Sequence, residues 1–231
     1  MSVFYSLFAF LLALPFLWPR LDLLASGFFY RAGQGFFLAD NPVLVALHEL
    51  AYVGPRLLAV AFLLCAVAAL LRRKNIVTLD AKAWLFLLLA LIIGPGLVAN
   101  VALKDHWGRA RPHEIVEFGG TQTFTPALEP HFERAKSNGS FPCGDGSFGF
   151  FLPAFGFVVS PRRARRAFWV GMGSGFVLSL VRVMQGGHFF SDCVYAAFFM
   201  LLTTTALYAA MYGRREAAQR WRAFFRRSAA D

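Results

Sequence analysis

The sequence predicts an all-α, polytopic membrane protein: six transmembrane helices forming one bundle over residues 1–231. Three observations carry that expectation. The chain is 58% hydrophobic with a mean hydropathy of +0.54, richer in apolar residues than a typical soluble domain. Its apolar residues fall into runs at 3–18, 50–71, 84–103, 142–160, 167–184 and 189–212, most of them near the ~20 residues that cross a bilayer. Its basic residues collect between alternate runs, as orientation in a membrane requires.

The first run has no basic region before it and no small-x-small cleavage site after it, so it is retained as a span. Residues 19–42 mix aromatics, glycines and scattered charges, the pattern of an amphipathic segment in the outer interface. His48, Glu49 and Arg56 lie near the start of the second run, close enough to the interface to snorkel. Within the third, Gly94, Pro95 and Gly96 predict a kink, and Asn100 and Lys104 stand near its end. Residues 104–141 form the longest polar stretch, a loop expected to shape access to a site. The fourth run is entered through Ser-Phe-Pro-Cys-Gly-Asp-Gly-Ser (140–147). In the fifth, Gly171, Gly173 and Gly175 permit close helix approach. The tail, 213–231, reads either as a basic amphipathic helix on an anionic lipid surface or as a solvated basic flank.

Six spans in this order put 72–83, 161–166 and the tail on one side. These segments hold Arg72, Arg73, Lys74 and Lys82, then Arg162, Arg163, Arg165 and Arg166, then Arg214, Arg215, Arg220, Arg222, Arg226 and Arg227. That side is expected to be cytoplasmic, with both termini on it. The net charge of +10 then reports topology and attraction to anionic lipid, and no nucleic-acid module is visible. Three cysteines do not make a disulfide framework. Cys65 reads as a packing residue within a span. Cys143 and Cys193 fall near the outer face, where pairing is the minor expectation.

Two clusters on the outer side carry chemistry. In Arg182-x5-His188-x3-Asp192, a carboxylate four residues beyond a histidine can hold its Nδ1 proton and leave Nε2 free to attack or shuttle a proton. The arginine is a planar, permanent cation suited to phosphate. In Lys104-Asp-His-Trp-Gly-Arg-Ala-Arg111-Pro112, two further cations are spaced by two helical turns, but Pro112 biases Arg111 toward extended backbone. Together they predict an anion pocket, joined by backbone N–H groups at the glycine-rich start of the fourth run.

With these motifs in this order, the chain resembles the type 2 phosphatidic acid phosphatase family, the lipid phosphate phosphatases related to acid phosphatases and vanadium haloperoxidases. The family signature is K-x6-R-P, then P-S-G-H, then S-R-x5-H-x3-D. The first part is intact as Lys104, Arg111 and Pro112. The third keeps Arg182, His188 and Asp192, with Val181 in place of the serine. The resemblance implies that His188 forms a phosphohistidine and is oriented by Asp192. It implies that Lys104, Arg111, Arg182 and the Gly144 backbone hold the phosphate, and that no cofactor or metal is needed.

The second motif departs from the family: Cys143 and Asp145 replace its serine and histidine, the latter the residue that protonates the leaving oxygen. Three readings stay open. Asp145 is itself the general acid; or the leaving group is good, as in a diphosphate or an anomeric sugar phosphate; or the site binds lipid phosphate without turning it over. His106, His113 and His131 on the same side could supply a substitute acid, though a lone loop histidine is usually just solvated. The run from Lys104 to Ser147 is similar to bacterial members acting on lipid A and related envelope lipids. It implies an inner-membrane protein with a periplasmic active site, acting on lipid A or polyprenyl diphosphate. A lipid phosphotransferase using the same phosphohistidine and a silent lipid-phosphate binder are the rival functions, and no protein partner is implied.

Overall fold

The computed structural model describes residues 2–135 and 138–225, so Arg226 and Arg227 of the tail lie outside the described residues. The order is α1 (Ser2–Leu17), α2 (Arg20–Gly27), a hairpin of β1 (Tyr30–Arg31) and β2 (Gly35–Phe36), α3 (Pro42–Arg72) and α4 (Ala81–Leu91). A π-helix (Ile92–Lys104) continues α4 into α5 (Asp105–Trp107). After a long loop come α6 (Gly144–Phe151), α7 (Ala154–Val158), α8 (Pro161–Met184), α9 (Phe190–Tyr212) and α10 (Arg214–Phe225).

The all-α, polytopic membrane fold stands, and the count of six spans is not confirmed. Among the described residues, Pro42–Arg72, Ala81–Glu114, Pro161–Met184 and Phe190–Tyr212 are each long and apolar enough to cross a membrane, and α1 with α2 makes a fifth candidate bent by 97°. The run at 142–160 is instead two short helices broken at Leu152 and Pro153. Proline has no N–H for a helical ladder, and packing stabilises the break. A Cβ on Gly171 would collide with Pro153, and one on Gly175 with Phe150. These two glycines, one turn apart, let α8 lie against the broken segment. Gly173, on another face, has nothing within 4 Å of its Cβ position and plays no part.

Local chemistry sets the ends. Asn41 Oδ1 accepts from the N–H groups of Val43 (3.1 Å) and Leu44 (3.3 Å), with Pro42 opening α3. Asp80 Oδ1 does the same for Ala83 (2.7 Å) at α4. The kink expected at Gly94-Pro95-Gly96 takes the form of the π-helix. Pro95 cannot donate to an ordinary α ladder, and a widened turn accommodates it. Its carbonyl accepts from Asn100 Nδ2 at 2.7 Å.

Residues 19–42 are more than an interfacial segment, because α2 buries Asp22 and Ser26 in the protein. One face of α3 carries Leu50, Leu57, Leu64 and Leu71, all exposed at heptad spacing and suited to lipid. The tail helix α10 folds back on the bundle. Phe224 stacks on Phe168 (4.6 Å between centroids) and meets Phe157 edge-on (5.0 Å), and Arg220 Nη1 donates to the Val159 carbonyl (2.7 Å). Its apolar face meets protein, and Arg214, Arg215 and Arg222 remain exposed.

Candidate active site

The residues singled out in the sequence lie at one end of these helices, and the basic segments at the other. Lys104 ends the π-helix and Arg182 stands in the last turn of α8. His188 lies between α8 and α9, and Gly144 and Asp145 open α6. Gly108, in the left-handed region at φ 71°, stops the helix after Trp107. Arg111 is extended (φ −83°, ψ 159°) ahead of Pro112, as the proline predicts, and its N–H donates to Glu114 Oε2 at 2.7 Å.

These elements enclose a cavity of about 810 Å³. Lys104, Arg111, Arg182, His188, Gly144 and Asp145 line it, and apolar residues of α3 and the π-helix, among them Pro55, Ile92 and Leu97, continue its wall. Six of the eight site residues predicted from sequence therefore meet in one space. Lys104 Nζ lies 3.5 Å from the position a Cβ on Gly144 would take, so the ammonium sits beside backbone at a helix start. Arg182 Nη1 donates to Gln185 Oε1 (2.7 Å), while its Nε is buried with no hydrogen-bond partner among the described residues. Lys104, Arg111 and Arg182, with Arg56 also lining the cavity, suit an anion with several oxygens.

His188 is 2% exposed. Its Nδ1 lies 2.5 Å from the Ser140 carbonyl oxygen and 3.6 Å from Asp192 Oδ2. The carbonyl can only accept, so Nδ1 carries the proton and Nε2 is free. The Ser140 carbonyl is the nearer acceptor of this proton, and Asp192, the acceptor expected from sequence, stands farther off. Its carboxylate is already occupied by the Phe189 N–H (2.8 Å), the Ser140 hydroxyl (2.6 Å) and Arg109 Nη1. Asp192 thus fixes the segments that carry and hold His188. Burial pushes the imidazole down to about 4, opposed by Asp192 and reinforced by Lys104 and Arg182. At neutral pH it is a neutral base with an open lone pair, able to attack phosphorus.

Cys143, expected beside the phosphate in the place of the family's serine, turns elsewhere. Its side chain is buried, and its sulfur accepts from the Gly146 N–H at 3.3 Å, capping α6. Its own N–H donates to the Asp192 carbonyl (3.2 Å). The thiol is free, as are those of Cys65 and Cys193, and it does not line the cavity. The substitute acids are also elsewhere: His106 Nδ1 contacts the Val101 carbonyl, His113 Nδ1 that of Gly186, and His131 the Glu133 carboxylate, each at 2.9 Å.

Sequence reading missed two features. Arg109, two residues before Arg111, is fully buried. It donates through Nη2 to Asp22 (2.8 Å), through Nη1 to Ser191 Oγ (2.8 Å) and Asp192, and through Nε to the Thr125 carbonyl (2.9 Å). The second is His48 of α3, read as a snorkelling side chain. Its Nδ1 stands 2.6 Å from Asp145 Oδ2. A histidine at the start of an apolar run, in a chain lacking the expected motif histidine, was the available signal. Among the described residues no group of three His, Cys, Asp or Glu side chains is arranged to hold a metal ion.

Membrane-spanning helices with a cationic, histidine-bearing cavity at one end define an integral membrane enzyme acting on a phosphorylated substrate. The PAP2 superfamily pattern matches residues 83–216, and the chain belongs to that superfamily as a lipid phosphate phosphatase. It is 37% identical over 202 residues to a lipid A 4'-phosphatase of Francisella tularensis subsp. novicida (strain U112), covering 87% of this chain and 90% of that one. It is 36% identical over 121 residues to a lipid A 4'-phosphatase of Rhizobium leguminosarum, covering 52% and 51%. Against one of Rhizobium etli it is 35% identical over 122 residues, covering 52% and 46%. No solved structure matches the chain significantly.

Proposed function

We propose that this protein removes a phosphate from lipid A at the periplasmic face of a bacterial inner membrane, through a phosphohistidine on His188. One observation carries the reading: Lys104, Arg111 and Arg182 surround the same cavity as a neutral His188 with Nε2 free. The His188 lone pair attacks phosphorus in line with the leaving oxygen, and the cations hold the non-bridging oxygens as charge shifts onto them. Water then displaces the imidazole and releases phosphate. The apolar wall formed by α3 and the π-helix suits a lipid whose headgroup reaches the cations while its chains stay in the bilayer. The relative with 90% of its length covered acts, by its name, on the 4'-phosphate of lipid A. A monoester of that kind is favoured here over a diphosphate.

Charge supports the periplasmic placement. The cavity lies at the helix ends opposite Arg72–Lys74, Arg162–Arg166 and α10, and such basic segments face the cytoplasm. The exposed arginines of α10 are then placed to meet anionic lipid headgroups. The test is phosphate release by detergent-solubilised protein, with chelator present, from lipid A, polyprenyl diphosphate and phosphatidic acid. Release from lipid A that His188→Ala abolishes is expected. Retained release in that variant would refute the phosphohistidine, and preference for the diphosphate would refute the substrate.

A further inference from the structure

We propose that His48 and Asp145 form the acid–base dyad of this enzyme. His48 Nε2 carries the proton to the leaving oxygen, and Asp145 holds the imidazole in position. The inference rests on the phosphohistidine reading above and supplies the proton donor that the altered second motif lacks.

The geometry assigns the roles. Asp145 Oδ2 lies 2.6 Å from His48 Nδ1 and 3.8 Å from Arg182 Nε. A carboxylate beside an imidazole, with a guanidinium at ion-pair distance, accepts from the imidazole N–H. His48 therefore donates through Nδ1, and its Nε2 is the nitrogen available to a ligand. The burial pattern agrees: the Asp145 side chain is 13% exposed and that of His48 32%, so the carboxylate sits behind and the imidazole in front. Both line the cavity that holds His188, Lys104, Arg111 and Arg182. The site thus contains two histidines, each with Nδ1 tied by an oxygen: the Ser140 carbonyl for His188, the Asp145 carboxylate for His48.

The chemistry calls for such a group. An ester of a sugar hydroxyl leaves as an alkoxide unless it is protonated as the bond breaks. An imidazole oriented by a carboxylate can hold that proton on Nε2, give it up and take another back in the same place. In the first step the His188 Nε2 lone pair forms the N–P bond. The P–O bond to the lipid breaks, and the His48 Nε2 proton passes to the departing oxygen. In the second step His48, now neutral, takes a proton from water as the water oxygen bonds to phosphorus and the N–P bond breaks. Phosphate leaves, and both histidines return to their starting states. The histidine expected at position 145 is thus replaced by a carboxylate there and an imidazole reaching in from α3.

The test compares leaving groups in full-length protein in detergent. His48→Asn keeps an N–H toward Asp145 and has no ionisable nitrogen. Its phosphoenzyme formation from lipid A should fall on the order of 10²–10³-fold. Nitrophenyl phosphate, whose leaving group needs little protonation, should still give a near-normal burst of nitrophenol. That burst also shows a folded site, and slow turnover should follow it because water lacks its base. Asp145→Asn should show the same leaving-group pattern with a smaller loss. Equal losses on both substrates, no loss on either, or no burst at all would overturn the dyad. His188→Ala separates the two proposals: it should give no burst with either substrate, and a burst there would refute the phosphohistidine irrespective of His48.

Discussion

Arg109 Nη2 donates to Asp22 Oδ2 at 2.8 Å, joining residues 87 positions apart with neither exposed to solvent. Through Nη1 the same guanidinium reaches Asp192 and Ser191, and Asp22 Oδ1 accepts the Ser191 N–H at 2.8 Å. The bent segment after α1 is thereby tied to the start of α9, where His188 is held. Removing Asp22 leaves Arg109 its Asp192 partner but strips the acceptors from buried Arg109 Nη2 and the Ser191 N–H, at about 1–3 kcal/mol for each unsatisfied donor. Asp22→Ala should lower the unfolding temperature in detergent well below that of an exposed control such as Asp40→Ala. It should also reduce phosphate release although Asp22 does not line the cavity. A variant as stable as the control would remove Asp22 from the framework.

His188 is held near 4 against an ordinary value of 6.5, first by burial and then by Lys104 and Arg182. Because the folded value is the lower one, its neutral form contributes stability that is fully present above pH 6.5. That stability is lost as pH falls from 6.5 toward 4, on the order of 3 kcal/mol in all. In unfolding measurements across that window, the wild type should lose stability relative to His188→Gln, which cannot titrate. Parallel curves for the two proteins would show that His188 is not buried as a neutral base.

Legibility in the sequence followed the range of the interaction. Lys104, Arg111, Arg182 and His188 were readable because spacing along the chain and polar residues at span ends already place them on one side. The extended Arg111 was readable from Pro112 alone. What escaped was set by contacts between distant segments. His48 finds Asp145 across 97 positions, and Asp22 finds Arg109 across 87, and no local pattern encodes either meeting. Residues 142–160 have a composition fit for one span, yet Pro153 and the glycines of α8 divide them. Cys143 had the right sequence position for a phosphate contact, but its sulfur turns inward to cap α6.

The α8 glycines allow a direct comparison. Gly171 and Gly175 stand where a methyl group would strike Pro153 and Phe150, whereas Gly173 faces open space. Gly171→Ala and Gly175→Ala should each destabilise the protein by about 1–3 kcal/mol through overpacking. Gly173→Ala should be neutral or stabilise by up to about 1 kcal/mol, since alanine favours helix. Unfolding temperatures of the three variants in one detergent decide the matter, and equal effects would mean that α8 does not pack through this face.

Gly187 gives the sharpest probe of the phosphate anchor. A Cβ there would run into the Arg182 guanidinium, which is otherwise fixed by Gln185 Oε1 at 2.7 Å, with Gln185 Nε2 in turn donating to the Ala39 carbonyl at 3.1 Å. The obstructed atoms are the end of a long side chain, so Gly187→Ala should displace the guanidinium without unfolding the protein. On the proposed function the substrate phosphate would lose one cationic contact, worth about 1.5–3 kcal/mol for a hydrogen bond to a charged group. KM should therefore rise roughly 10-fold or more. In the proposed mechanism the guanidinium also meets charge developing in the transition state, so kcat should fall as well. Gln185→Ala frees the same guanidinium from the opposite side and should move both constants in the same direction by less. If Gly187→Ala left KM and kcat unchanged while Arg182→Ala abolished activity, the guanidinium would have to act from a position other than the one Gly187 makes room for.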